Sequence, residues 1–247
     1  MGWPRLTGTD RRVDVLPSPN IWHWPAVYET ENRAQDAGGA IWHALRERCD
    51  WAGADVVDVG CGDGFHLPVF AATARSVVGV EPHPPLVRRA ERRMAGVSHV
   101  RLVTGGAQRL PLPSGSADLV HARTAYFFGR GCEPGLAEAD RVLRPGGALA
   151  IVDLDAVCPP YGEWMLADLP TYDAADVDRF FAEQGFDCMR VRTVWRFADR
   201  ADLAAVLRIE FSAAVAEQAL AATPGVTMPV GYRIHVRRKP TGLVLPR

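Results

Sequence analysis

Short apolar segments alternate, along the first two thirds of the chain, with segments whose apolar residues recur at helical spacing. The apolar segments are continuous rather than alternating, which is typical of parallel strands covered by helices on both faces. They lie at 55–59, 76–80, 99–103, 117–121 and 148–153. Helical patterns follow near 65–74, 84–95 and 133–143. This alternation predicts a doubly wound, Rossmann-like α/β fold.

A glycine-rich segment, Gly60-Cys61-Gly62-Asp63-Gly64, follows the first predicted strand. Glycines allow a sharp turn and a close ligand approach, and the N–H groups that open the next helix attract negatively charged groups. Glu81 ends the second predicted strand about 20 residues further on, where an acidic residue commonly binds a ribose diol. The two features together predict an adenosine-type cofactor.

The spacing of the glycines bears on which cofactor it is. Dinucleotide sites use G-x-G-x-x-G, whereas this loop reads G-x-G-x-G. Asp58 and Asp63 place two carboxylates beside the loop. Carboxylates repel a pyrophosphate and suit the ammonium and sulfonium groups of S-adenosylmethionine. A nicotinamide-dependent oxidoreductase stays as an alternative, although Lys239 is the only lysine available for a catalytic tyrosine–lysine pair.

Five segments resemble, in the right order, the motifs of the class I S-adenosylmethionine-dependent methyltransferases, and the set is similar to the small-molecule branch called methyltransferase domain type 11. The segments are Asp58–Gly64, Gly79–Pro82, Gly106–Pro111, Asp118–Arg123 and Glu138–Gly147. The resemblance implies a single mostly parallel seven-stranded sheet with helices on both faces and an antiparallel last strand. It also implies a cofactor half at about 54–153 and substrate-side elements at 154–247. Residues 1–50 are expected to form an N-terminal arm and a cap helix, and residues 51–247 the methyltransferase domain.

The same resemblance assigns the cofactor contacts residue by residue. Asp58 is expected to orient the loop or to hold the ammonium group through water, and Tyr28 to bond the cofactor carboxylate. Glu81 is expected to bind the ribose hydroxyls, with Pro82 against the adenine. The remaining contacts fall on the methionine part at Gly60, Cys61 and Gly62, on the adenine border at Ala107 and Gln108, and on the sulfonium end at Ala122 and Arg123.

The implied reaction is an in-line transfer of the methyl group to a small molecule, which leaves S-adenosylhomocysteine. Positioning in a dry pocket supplies most of the acceleration, and a general base is needed only if the acceptor must lose a proton. The candidate bases are His23, His66, His121 and Tyr126. Each also has a structural interpretation, as a packing histidine or as a core-facing aromatic residue. A protein that binds the cofactor without transferring its methyl group is a third possibility.

Charge and cysteine content limit the other classes of function. The net charge of −1 gives no general attraction to nucleic acid or to an anionic membrane, so neither is expected as a partner. The five cysteines contain no C-x-x-C pair, and no metal-ligand spacing is present, so no bound metal is expected. No secretory leader or apolar run long enough to span a membrane is evident, and a cytoplasmic location is expected.

Overall fold

A computed structural model describes residue 15 and residues 17–242 of this protein, so the first part of the N-terminal arm predicted within residues 1–50 lies outside the described residues. The helices are α1 Pro19–His23, α2 Pro25–Ala34, α3 Ala40–Arg48, α4 Leu67–Ala71, α5 Pro84–Arg93, α6 Glu133–Val142, α7 Tyr161–Asp168, α8 Ala174–Glu183, α9 Arg200–Glu210 and α10 Ala213–Ala222. The strands are β1 Asp55–Val59, β2 Ser76–Glu81, β3 Val100–Thr104, β4 Ala117–Arg123, β5 Leu143–Leu154, β6 Asp187–Arg196 and β7 Thr227–Arg238.

The seven strands form one sheet in the order β3-β2-β1-β4-β5-β7-β6. The pairs from β3 to β5 are parallel. Strand β7 runs antiparallel to β5, since Gly146 N–H donates to Lys239 C=O at 2.9 Å and Lys239 N–H donates to Gly147 C=O at 2.8 Å. The strand order reverses between β1 and β4, and ligands of doubly wound sheets bind outside the carboxyl ends of the strands at such a point. The predicted fold class is confirmed.

The described chain divides into two compact units. The glycine-loop unit holds Leu45–Asp153, Val177–Met189 and the described residues from Ile234 onward. The second unit holds the described residues up to Ala44, together with Leu154–Asp176 and Arg190–Arg233. The predicted division of the chain at residue 50 stays a prediction.

Continuous apolar strands build the core of the glycine-loop unit. In β1 and β4, the side chains of Val57, Val59, Val120 and Ala122 are almost fully buried in one cluster, because residues on both faces of a central parallel strand are covered. At the other ends of these strands, Arg144 bonds Asp55 at 2.9 Å and Asp118 at 2.8 Å, which ties β1 and β4 to the start of β5. The strand ends that carry the glycine loop are therefore free of this structural network.

Several element boundaries differ from the sequence expectation. Helices α2 and α3 do not form one continuous cap helix, because Asp36 and Gly39 take positive φ angles of 50° and 70° between them. Asp36 accepts a hydrogen bond from Ile41 N–H at 3.0 Å and so closes this turn. The helix expected near 65–74 has only five residues, with Pro68 in its first turn. Strand β5 starts at Leu143 rather than at residue 148.

Candidate functional site

The glycine loop leaves β1 with a backbone that only glycine adopts without strain at its first position. Gly60 has a φ of +73°, and a Cβ added there would lie 2.5 Å from the Cβ of Ala125. The N–H groups of Gly60 and Cys61 both donate to Val80 C=O, at 2.8 and 3.2 Å. The loop therefore bends over the end of β2, with the segment after β4 packed against it.

Glu81 holds this loop from the end of β2. Its carboxylate accepts hydrogen bonds from Gly62 N–H at 3.0 Å and from His83 N–H at 2.9 Å, one on each oxygen. The side chain is buried, and burial raises the pKa of Glu81 while the two N–H donors act in the opposite direction. Each carboxylate oxygen has more than one lone pair, so the group retains acceptor capacity for a diol.

The two aspartates beside the loop have different partners. The Asp63 carboxylate forms an ion pair with Arg93 of α5, with an N–O distance of 2.9 Å. The Asp58 carboxylate lies 2.7 Å from Nδ1 of His121. The sequence argument that both carboxylates act on the ligand is therefore corrected: the charge of Asp63 is compensated by Arg93, and only Asp58 supports that argument.

Two of the candidate bases lie near these residues. His121 is fully buried within β4, bonds Asp58 and packs against Phe70 with ring centroids 4.9 Å apart, which supports its packing interpretation. His66 precedes α4 and is partly exposed. Burial, followed by the positive charge of Arg123, lowers the pKa of His66 well below its ordinary value. His66 is therefore neutral near pH 7, the form that accepts a proton.

The segment after β4 carries local backbone strain. Thr124 and Tyr126 have positive φ angles of 45° and 58°, which are uncommon outside glycine and concentrate at functional sites. Ala122 and Arg123 are buried at the end of β4, just before this turn. Phe127 belongs to the core of the glycine-loop unit.

Tyr126 is a poor general base in this setting. Its ring packs edge-on against Phe127, with centroids 5.1 Å apart, and lies close to Gly135 of α6. Burial raises the pKa of Tyr126 to about 12, so its phenolate is not populated at neutral pH. Residues 124–132 form bends and turns and contain no helix.

A clasp between α6 and the loop after β3 was not assigned from the sequence. Glu138 accepts from Leu110 N–H at 2.8 Å, and Arg141 donates to the carbonyls of Leu110 and Leu112 at 2.9 and 2.8 Å. The bond to Arg141 lowers the pKa of Glu138. The clasp fixes the loop that contains Ala107 and Gln108. Its signal in the sequence was the acidic–basic pair three residues apart on one helix face.

The second unit contains a buried polar cluster that the sequence did not indicate. Glu210 of α9 accepts from Asn20 Nδ2 at 2.6 Å and from the Tyr161 hydroxyl at 3.1 Å. Burial raises the pKa of both Glu210 and Tyr161. In the same unit, Tyr28 is partly buried in α2 and His23 is exposed at the end of α1. Their predicted roles stay predictions.

A glycine loop at the switch point of a parallel sheet, held by an acidic residue from the neighbouring strand, defines a nucleotide-cofactor-binding α/β protein. Comparison with known proteins narrows this class, because residues 57–151 match the methyltransferase domain family Methyltransf_11. The match covers the segment that carries the glycine loop and Glu81, and the resemblance seen in the sequence is confirmed for that segment.

Individual relatives agree with this assignment. A probable S-adenosylmethionine-dependent methyltransferase of Mycolicibacterium smegmatis is 29% identical over 59% of this chain and 50% of its own length. A tRNA U34 carboxymethyltransferase of Cellvibrio japonicus is 31% identical over 40% of this chain and 32% of its own length. The matches thus span half or less of these two relatives.

A solved structure shows the same fold. The crystal structure of a Bacillus halodurans protein named as a putative methyltransferase has a TM-score of 0.59 and 20% identity, covering 81% of this chain and 98% of its own. Among the residues that the structure describes, no helix combines the length and apolar character needed to cross a membrane.

Proposed function

We propose that this protein transfers a methyl group from S-adenosylmethionine to a small-molecule acceptor by in-line displacement and releases S-adenosylhomocysteine. The observation that carries the proposal is the Glu81–Gly62 bond, which joins the acidic end of β2 to the glycine loop. This bond lies within the residues that match the methyltransferase domain family.

In this proposal, the glycine-loop unit binds the cofactor. Glu81 binds the ribose diol, and the loop backbone at Gly60, Cys61 and Gly62 lies along the methionine part. The Asp58 carboxylate orients the loop or holds the ammonium group through water, while His121 fixes its rotamer. Ala107, Gln108 and Pro82 border the adenine, and Ala122 and Arg123 lie at the sulfonium end. Tyr28 bonds the cofactor carboxylate.

The chemistry then needs little beyond positioning. The sulfonium is already an activated methyl donor, so alignment of the acceptor and exclusion of water supply most of the acceleration. If the acceptor is a phenol or a carboxylic acid, a base must accept its proton. Among the candidate bases, His66 follows the glycine loop and is partly exposed; its lowered pKa keeps it unprotonated near pH 7 and also makes it a weak base.

A small acceptor is favoured by the near-zero net charge of the chain. A nucleic-acid acceptor is the second candidate, because one relative is a tRNA-modifying enzyme. A transfer assay with radiolabelled methyl donor separates the two, using a panel of small phenols, carboxylic acids and amines beside bulk tRNA. Transfer confined to tRNA contradicts the small-molecule proposal.

The cofactor itself is tested by thermal melting with S-adenosylmethionine, S-adenosylhomocysteine and NAD in parallel. A ligand that binds the native state raises its stability by mass action, by about 2.7 kcal/mol at a concentration 100 times the Kd. We expect a rise in Tm with the first two ligands and none with NAD. A shift with NAD alone favours the oxidoreductase alternative. Binding without transfer to any acceptor favours the cofactor-binding protein that does not methylate.

A further inference from the structure

Three side chains of different chemistry meet in the glycine-loop unit, remote in sequence from the glycine loop. Asp178, Cys188 and His235 each offer one ligand atom, and these oxygen, sulfur and nitrogen atoms all lie within 4.8 Å of one another. The residues come from α8, β6 and β7 respectively. No short motif links them, and for that reason the sequence showed no metal-ligand spacing.

One residue of the group is buried and held by packing, and the other two are accessible to solvent. His235 is 1% exposed, and its ring stacks on Phe181 with centroids 4.4 Å apart and planes 28° apart. Cys188 is exposed at the start of β6, and Asp178 is partly exposed on α8. An ion reaching this place from solvent therefore meets two adjustable ligands first and one fixed imidazole behind them.

We propose that Asp178, Cys188 and His235 form a binding site for a thiophilic divalent cation of the Zn²⁺ class. Thiolate, imidazole and carboxylate are the three ligand types that zinc uses in proteins. The presence of sulfur argues against Mg²⁺ and Ca²⁺, which take oxygen ligands. A thiolate and a carboxylate together compensate the two positive charges of the ion.

The distances require only small adjustments. In a tetrahedral zinc site, neighbouring ligand atoms are separated by about 3.4–3.7 Å, as follows from metal–ligand bonds of about 2.0–2.3 Å. From a separation of up to 4.8 Å, the ligand atoms need to approach by about 1.4 Å at most, and the side chains of the exposed Cys188 and the partly exposed Asp178 can make that movement. Three protein ligands leave a fourth position for water. A bound ion would join α8 to β6 and β7, so the site acts on stability rather than on methyl transfer.

The test uses the full untagged chain, stripped with a chelator and dialysed. Titration with Zn²⁺ against a chromophoric chelator measures affinity and stoichiometry, and thermal melting measures stabilisation. We expect one equivalent of Zn²⁺, a higher Tm, and no competition from excess Mg²⁺ or Ca²⁺. With Co²⁺ as a spectroscopic substitute, a thiolate-to-metal charge-transfer band is expected.

Substitution of Cys188 or Asp178, which are accessible to solvent, removes a ligand without disturbing the buried core. Cys188→Ser and Asp178→Asn should weaken Zn²⁺ binding by at least about 100-fold, since even groups that only orient a ligand are worth about 10–100-fold. Cys188→Ser should also abolish the charge-transfer band. Asp187→Asn, an exposed neighbour outside the group, is the matched control and should bind as the unchanged chain does. Absence of stoichiometric binding, or equal affinity in Cys188→Ser and the control, overturns the proposal.

Discussion

Replacement of Glu81 by alanine tests the cofactor assignment most directly. The carboxylate already accepts the N–H groups of Gly62 and His83, and the proposed function adds two ribose hydroxyl donors. Hydrogen bonds to a charged group contribute about 1.5–3 kcal/mol each, so two of them contribute about 3–6 kcal/mol. At 1.4 kcal/mol for each factor of ten, Glu81→Ala should raise the Kd for S-adenosylmethionine by about 100-fold or more.

The same substitution has a smaller effect on the free protein. Removing the carboxylate leaves the Gly62 and His83 N–H groups without their acceptor, at a cost of about 1–3 kcal/mol for each one that water does not reach. Relief from burying a carboxylate offsets part of this loss, because burial disfavours the ionised form and raises its pKa. We therefore expect a folded variant with a moderately lower Tm and a large loss of affinity.

Isothermal titration calorimetry with S-adenosylmethionine and S-adenosylhomocysteine measures the effect. Glu91→Ala is the matched control, because Glu91 is an exposed glutamate on the following helix α5. Circular dichroism confirms the fold of each variant. A Kd for folded Glu81→Ala within about threefold of the control, well below the loss of even one charged hydrogen bond, would refute the assignment of the ribose to Glu81.

Four further outcomes are expected. Gly60→Ala should lower the free energy of unfolding by more than Gly115→Ala, for which about 1–2 kcal/mol is expected. Both glycines have a positive φ, but only at Gly60 would the added Cβ clash with a neighbour, Ala125. Equal losses of Tm in the two variants contradict this expectation. Glu138→Gln should raise the KM for S-adenosylmethionine several-fold with kcat kept, and an unchanged KM removes the clasp from cofactor binding. Because the pKa of Glu81 is raised, the cofactor affinity measured by calorimetry should begin to fall, on acidification, at a pH above the ordinary pKa of 4.5. In the free protein, the stability that Glu81 contributes through its protonated form is fully present below pH 4.5 and is lost as the pH rises through the raised pKa. Glu81→Gln should show neither pH dependence. With an acceptor that must lose a proton, His66→Ala should lower kcat without changing the cofactor Kd, and an unchanged kcat with such an acceptor excludes His66 as the base.

The parallel part of the sheet could be predicted from the sequence because its signal is local. Strand β1 is a short apolar run whose side chains are buried on both faces, and its neighbours have the same character. The glycine loop and Glu81 could also be predicted together, since the parallel pairing of β1 with β2 brings the ends of the two strands side by side. Here, local pattern and sheet geometry lead to the same answer.

Partners that are remote in sequence could not be predicted in this way. Asp63 is an acidic residue of the glycine loop, and nothing near it in the sequence showed that its charge is neutralised by Arg93 at the end of α5. The clasp of Glu138 on Leu110 likewise depends on how α6 packs beside the loop after β3. Element ends were displaced for a similar reason: the start of β5 is set by its pairing with β4, including a bulge between Ala117 and Leu119.

This difference between local and long-range signals explains why the sequence predicts the cofactor and does not predict the acceptor. The contacts proposed for the methionine part of the cofactor are backbone positions of one loop, and glycine is required at Gly60 by its φ angle and by the approach of Ala125. Contacts in the second unit instead join side chains far apart in the chain, as Asn20 and Glu210 show with a separation of 190 residues. A single residue change can alter such a contact without any local trace in the sequence. The identity of the acceptor is therefore a question for the transfer assay with its panel of small molecules and tRNA, and not for the sequence pattern.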